Sequence, residues 1–221
     1  ACAVTAGFSQ GGGVGLVLAN WMIEGDPGFD VWGMDVSRFG DWATLSYTNT
    51  KVQENYSRRF SIRFPNEELP AGRPLRTTPV YDKLISEGAQ MGSSFGLEVP
   101  LWFAPKGVTD KFSWRRSTDF EHVAQEVQAV RESVGVLEIS GFAKYTVVGS
   151  GASDWLDQIL ACRIPKPGRM TLAPMLNENG KLIGDFTLAN LDEDEFFIAG
   201  SGLAEEYHLR WFEQHLPEST N

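Results

Sequence analysis

The apolar positions of this chain change period several times, and each change marks an element. Val14, Val17, Leu18, Trp21 and Met22 recur at three-and-four spacing directly after a run of glycines, which predicts a buried helix ending near Gly25. From Asp26 to Gly40 the pattern dissolves into Pro, Gly and Trp, with Asp26-Pro27 and Phe39-Gly40 as turn signals, so this stretch reads as a connector. Residues 41–60 have moderate helical character, and 66–74 read as an exposed loop. Val80, Leu84 and Ile85 give a short helix, with Pro79 near its start and Gly88 beyond its end. Phe120, Val123, Val127 and Val130 form one stripe of a further helix that Gly135 closes.

Strand character gathers in the second half. Phe95, Trp102 and Phe103, among Gly and Pro, predict strands and loops between Met91 and Lys111. Val136 to Ile139 and Tyr145 to Val148 read as strands, and Gly149 and Gly151 turn into a helix over about 152–160, with Asp154 well placed for its dipole. Asn179-Gly180 between the apolar runs 172–176 and 181–191 is a hairpin signal. A strand at 195–199 and a helix over about 204–215, presenting Tyr207, Leu209 and Trp211, complete the pattern. The expected fold class is α+β, with short helices alternating with antiparallel strands.

Charge narrows the functions. The 29 acidic and 19 basic side chains give a formal charge of −10, which repels a phosphate backbone and excludes nucleic acid as a partner. No apolar run approaches the ~18 residues of a membrane span. Cys2 and Cys162 lie far apart without CxxC or Cys/His spacing, which removes zinc motifs and a disulfide framework and fits a reducing compartment. The chain opens at Ala1 without an initiator Met and enters almost at once into glycines, so a fragment is expected.

Three groups of residues could carry chemistry. Gly11, Gly12, Gly13, Val14 and Gly15 lead into a helix, where unpaired N–H groups attract an anionic or carbonyl oxygen and missing β-carbons admit a ligand to the backbone. A flexible loop, or tight packing on a neighbour, explains the same glycines equally well. On the strand after the hairpin, Leu182, Gly184, Phe186 and Leu188 share one face, and Ile183, Asp185, Thr187 and Ala189 the other. Asp185 in a pocket can orient a ligand N–H or relay a proton; a solvated strand face is the plainer explanation. His122, His208 and His215 read as surface residues, each without a partner at ligand spacing. Ser9 and Ser140 stand near glycines but form no Gly-x-Ser-x-Gly elbow.

Taken in order, several of these stretches resemble the dimethylglycine dehydrogenase and sarcosine dehydrogenase family of flavoproteins. The matching pieces are Ala6-Gly7-Phe8 with Gly11 to Gly15 and Trp21, Arg38-Phe39-Gly40, Ala71-Gly72-Arg73-Pro74, Pro100 to Phe103, Trp114-Arg115-Arg116, and Met175 through Asp185. The resemblance implies that residues 1–40 end an FAD-dependent oxidoreductase domain, 41–95 form a small connecting domain, and 96–221 begin an aminomethyltransferase-like, folate-binding domain of mixed α/β character. In that family an FAD domain oxidises an N-methyl amine to an iminium, and tetrahydrofolate captures the carbon through N5 and N10. By the resemblance Gly11 to Gly15 approach the flavin, and Asp185 faces the folate pteridine and the transferred carbon. Ser140 and Ala199 match neighbouring folate-loop positions. The family's usual Asp-Leu-Ser reads Glu138-Ile139-Ser140 here, and its early Gly-x-Gly-x-x-Gly is absent. The expected enzyme is therefore an oxidoreductase acting on CH–NH groups, inactive as this stretch alone. Its partners would be an N-methylated amino acid, the rest of the same polypeptide and an electron-transfer flavoprotein, in bacterial cytoplasm or the mitochondrial matrix. A non-catalytic role like that of the regulatory subunit of pyruvate dehydrogenase phosphatase is the alternative.

Overall fold

A computed structural model of the chain describes residues 7–218. Cys2, and Ala6 of the first matching stretch, lie outside the described residues. The chain divides into two compact units, one ending at Arg38 and one starting at Phe39.

In the first unit, α1 (Gly7–Glu24) takes in the whole glycine run. The expected loop before the helix is absent, because helix propagation from the apolar stretch continues through glycines that each cost about 1 kcal/mol relative to Ala. The expected burial also fails: α1 buries no residue. Its end is as predicted, with Gly25 at φ 75° and its N–H donating to the Trp21 carbonyl at 3.1 Å. The connector is then folded by aspartates. Asp26, Asp30 and Asp35 accept from the backbone N–H of Gly28, Trp32 and Ser37 at 2.6, 2.9 and 2.9 Å.

In the second unit, α2 (Leu45–Ser57) starts where the Thr44 hydroxyl accepts from Tyr47 N–H. The loop 66–74 is tied back to it: Ala71 N–H donates to Glu54, and Lys51 Nζ donates to the Leu69 carbonyl, both at 2.9 Å. After α3 (Tyr81–Ser86) comes a hairpin of β1 (Ala89–Ser94) and β2 (Leu97–Phe103). Its turn residues Phe95 and Gly96 both have positive φ, 48° and 77°, the signature of a tight hairpin turn. Arg73 clamps this hairpin bidentately through Glu98, Nε at 2.8 Å and Nη2 at 2.7 Å, and donates to the Met91 carbonyl.

Helix α4 (Asp119–Glu132) meets β2 along its polar edge: His122 stacks on Trp102 and Glu126 accepts from Phe103 N–H at 2.8 Å. Its apolar stripe stays largely uncovered, with Phe120 beneath the Arg116 guanidinium at 4.1 Å. The run 136–139 is not a strand. Its apolar residues are exposed, and no neighbouring strand pairs with it, so its composition alone was misleading.

The rest is one antiparallel sheet with two helices. In chain order come β3 (Ala143–Val148), α5 (Ala152–Ile159), β4 (Met170–Leu176), β5 (Leu182–Asp192), β6 (Glu195–Gly200) and α6 (Glu205–Gln214), and the strand order is β3-β6-β5-β4. The predicted hairpin joins β4 to β5, its turn closed by the Asn177 side chain accepting from the N–H of Asn179 and Lys181. One face of the sheet is the core, where Met175, Phe186, Leu188, Phe196 and Ile198 pack under Trp155 and Leu156 of α5 and Phe212 of α6. The mixed helix and antiparallel-sheet class expected from the sequence is the one found.

Candidate functional site

The outer face of the same sheet carries the polar residues. Strand alternation puts Phe186 and Leu188 in the core and leaves Asp185 and Thr187 outside. Pairing then fixes their neighbours: Leu172, Thr187, Ala199 and Lys144 form one row across the four strands, with Asp185 beside Pro174. Above this row lies a cavity of about 520 Å³, whose walls include Asp185, Thr187, Ala199, Glu138 and Ile139. Asp185 and Ala199 are thus brought together. The plain alternative of a solvated strand face holds only in part, since Asp185 is exposed but faces a walled space.

The loop 138–142 roofs the cavity and is itself built tightly. Ser140 N–H donates to the Glu138 carboxylate at 2.7 Å. Lys144 Nζ donates to the carbonyls of Ser140 and Phe142 at 2.8 and 2.7 Å. Gly202 is required beneath it, because a β-carbon there would collide with the Gly141 carbonyl oxygen. Ser140 lines an adjoining cavity of about 480 Å³, and the two cavities share Val99, Gly141, Phe142 and Gly202. Ser140 therefore sits next to the Asp185 cavity without forming its wall.

Sequence reasoning placed His208 at the surface; the structure buries it, only 3 % exposed, against Phe186 with ring centroids 4.7 Å apart. Its Nε2 lies 2.9 Å from the Ile183 carbonyl, so that nitrogen carries the proton, and Nδ1 is buried without a partner. Burial pushes its pKa down, against the opposing pull of the Ile183 carbonyl and Asp185. The available signal was its spacing from Phe212, four residues on, which puts both on one side of α6. His122 is half-buried, and His215 is exposed with Nδ1 2.8 Å from the Trp211 carbonyl.

In the first unit Gly11, Gly12, Gly13 and Gly15 have nothing within 4 Å of where a β-carbon would stand. Their N–H groups lie past the first turn of α1, in the interior of the helix. The amide-donor role expected of Gly11 to Gly15 is thereby corrected, while the bare backbone surface remains. Among the described residues no group of three or more His, Cys, Asp or Glu could hold a metal ion, and no helix is long and apolar enough to cross a membrane.

The family model of the GCVT N-terminal domain matches residues 80–221, the stretch that holds the sheet and both cavities. The chain belongs to that family. Residues 24–78 match the FAD dependent oxidoreductase central domain. Mitochondrial dimethylglycine dehydrogenase of Mus musculus is 35 % identical over 218 residues, which cover 96 % of this chain and 25 % of the relative. The mitochondrial pyruvate dehydrogenase phosphatase regulatory subunit of Mus musculus is 30 % identical over 226 residues, 98 % of this chain and 26 % of that one. Mitochondrial sarcosine dehydrogenase of Homo sapiens is 27 % identical over 216 residues, 85 % and 24 % respectively. The chain thus spans about a quarter of the length of these curated relatives. The likeness to dimethylglycine and sarcosine dehydrogenases read from ordered motifs is borne out.

Proposed function

We propose that this chain is the part of an FAD-dependent N-methyl amine dehydrogenase, of the dimethylglycine or sarcosine type, that receives the oxidised one-carbon unit on tetrahydrofolate. The observation that carries the reading is the cavity on the outer face of the sheet, which joins Asp185 and Ala199 under the 138–142 loop in a GCVT-family domain. Its residues fit a pteridine: the Asp185 side chain can accept from ring N–H groups, and Leu172, Ile139 and Phe142 supply apolar walls. Asp185 holds the ligand by those N–H groups, stabilises the positive charge of the transfer stage, and takes up the proton released as the carbon is captured. Thr187 and Ala199 keep the floor small, and the loop 138–142 limits water above it. Ser140 keeps that loop in place through its backbone.

FAD, when bound, supplies the two-electron acceptor for amine oxidation. Toward it this chain offers the Gly11 to Gly15 surface, with Val14 on the same helix, where absent β-carbons permit close approach. Those residues fit contact with a flat ring and do not fit amide donation, so no chemical step is assigned to them. Residues 1–40, 41–95 and 96–221 act as the end of the oxidoreductase domain, a connector and the start of the folate domain. The compartment is the mitochondrial matrix or bacterial cytoplasm, the substrate an N-methylated amino acid, and the electron acceptor oxygen or an electron-transfer flavoprotein.

Asp185→Asn in the full chain tests the reading. Folate-dependent methylene transfer should fall by about a hundredfold or more, the usual scale for a positioned acid–base group, while amine oxidation holds. Unchanged transfer would remove Asp185 from the chemistry. The likeness to the phosphatase regulatory subunit over 98 % of this chain favours one second reading, a non-catalytic binding protein. A purified full chain without visible flavin absorbance and without amine turnover would select it.

A further inference from the structure

The adjoining cavity of about 480 Å³ belongs to no role described so far, and its chemistry is opposite to that of its neighbour. Arg76 and Lys144 line it, with Glu205 as the one acidic side chain and Ser94, Ser140 and Thr78 supplying hydroxyls. The neighbouring cavity carries Asp185 and Glu138 and no basic residue.

The cationic groups are held in place by the fold. The Arg76 backbone bridges to β2, its N–H donating to the Gly96 carbonyl and its carbonyl accepting from Glu98 N–H, both at 2.9 Å. The Arg76 guanidinium approaches Glu205 only at 3.6 Å, which leaves most of its five donors for another acceptor. Lys144 spends two N–H groups on the loop carbonyls and keeps a third.

A second, independent feature points to a missing acceptor. Thr78 is 7 % exposed and lines this cavity, yet its hydroxyl has no hydrogen-bond partner. Buried hydroxyls are almost always paired, because leaving one unpaired costs stability. An acceptor entering beside Thr78 and Arg76 satisfies both.

We propose that this cavity is a carboxylate-binding site. Among the lining residues two cations against Glu205 leave one net positive charge, which matches a carboxylate; a phosphate, with nearly two charges, would press against Glu205 and against Glu206, which also faces Arg76. The planar guanidinium suits a carboxylate bidentately. Since the two cavities share a wall, one molecule can place hydrogen-bond donors at Asp185 and a carboxylate at Arg76. The carboxylate has two sources, the glutamate tail of a folate or the N-methyl amino acid itself. The first rests on the folate reading given above, and the second does not.

Calorimetric titration of the full chain, and of variants Arg76→Gln and Thr78→Val, decides the matter. The probes are folate, pteroate (folate without glutamate), N,N-dimethylglycine and trimethylamine. Folate binding about tenfold tighter than pteroate, with Arg76→Gln abolishing that advantage and leaving pteroate unmoved, supports the site with the tail as its source. An unchanged folate-to-pteroate ratio, with N,N-dimethylglycine weakened about tenfold by Arg76→Gln, supports it with the amine substrate as source. If neither carboxylate ligand outbinds its carboxylate-free analogue, or Arg76→Gln and Thr78→Val both keep full carboxylate affinity, the proposal is overturned. Absence of all binding by pteroate and folate counts against the folate reading alone, and the N,N-dimethylglycine arm then judges the site. Thr78→Val preserves side-chain volume and removes an unpaired hydroxyl, so its melting temperature should not fall, which separates lost binding from lost folding.

Discussion

One nitrogen of His208 donates to the Ile183 carbonyl and the other is buried with nothing to bond. Protonating the ring would create a buried N–H without an acceptor, which is why burial outweighs the favourable carbonyl and Asp185 and lowers its pKa. The sign follows from linkage. The unfolded chain, with His at about 6.5, binds the proton first as pH falls, so this contribution to stability is complete above about 6.5 and is lost toward the folded pKa below it. Glu206, pushed upward chiefly by burial, titrates with the opposite sign. The melting temperature should therefore drop more steeply on acidification in the native chain than in His208→Gln, and identical slopes would assign the effect elsewhere. At this scale the sequence was half legible. Strand alternation put Asp185 opposite the core correctly, because period two leaves a side chain only two directions. It could not show that His208 is covered, because a charged-looking helix reveals its buried face only when its partner sheet is known.

Elements here depend on a few close contacts that local patterns do not encode. Gly202 lies under the Gly141 carbonyl, so Gly202→Ala must push the 138–142 loop away from the sheet. We expect a loss of about 1–3 kcal/mol in denaturant unfolding, the scale of overpacking, together with weaker ligand binding; a variant with native stability would show that the loop gives way freely. Arg73 and Glu98 make the opposite case, a charged pair with side chains 12 % and 3 % exposed. Glu98→Ala leaves the guanidinium with only the longer, exposed Glu68 contact at 3.4 Å and should cost about 3 kcal/mol, whereas joint replacement of both by Met should recover much of it. If the double variant is no better than Glu98→Ala, the pair contributes more than mutual compensation. Hairpin β4–β5, α2, α3 and the end of α1 were all readable, because turn residues and caps act locally. The two failures share a cause. Residues 136–139 have strand composition but no partner edge, and the glycines at 11–15 have loop composition but a strong helix adjoining them, so in both cases the neighbour decided.

For the molecule as a whole, the division between Arg38 and Phe39 separates two units of different make-up. The glycine helix and its aspartate-folded connector lie on one side. Both cavities, the four-stranded sheet and the buried core lie on the other. The core is self-consistent within that second unit: Trp155 Nε1–H donates to the His215 carbonyl at 2.6 Å and the Tyr145 hydroxyl to the Glu205 carbonyl at 2.8 Å, so α5 is tied to the end of α6 and α6 to the sheet by bonds that need nothing from residues 7–38. Burial and the two nearby glutamates hold the Tyr145 phenol far above its ordinary pKa, so this pin survives through neutral and mildly alkaline pH. The loop 138–142, its Lys144 anchor and the Arg73–Glu98 clamp also belong to the second unit. A chain reduced to residues 39–221 is therefore expected to unfold cooperatively and to bind folate within about threefold of the full chain, well under the tenfold that one lost charge-assisted contact would produce. Calorimetry on the two chains makes the comparison. A shortened chain that unfolds cooperatively but no longer binds would mean that the first unit supplies part of the proposed folate site, and the assignment of that site to the second unit alone would have to be given up.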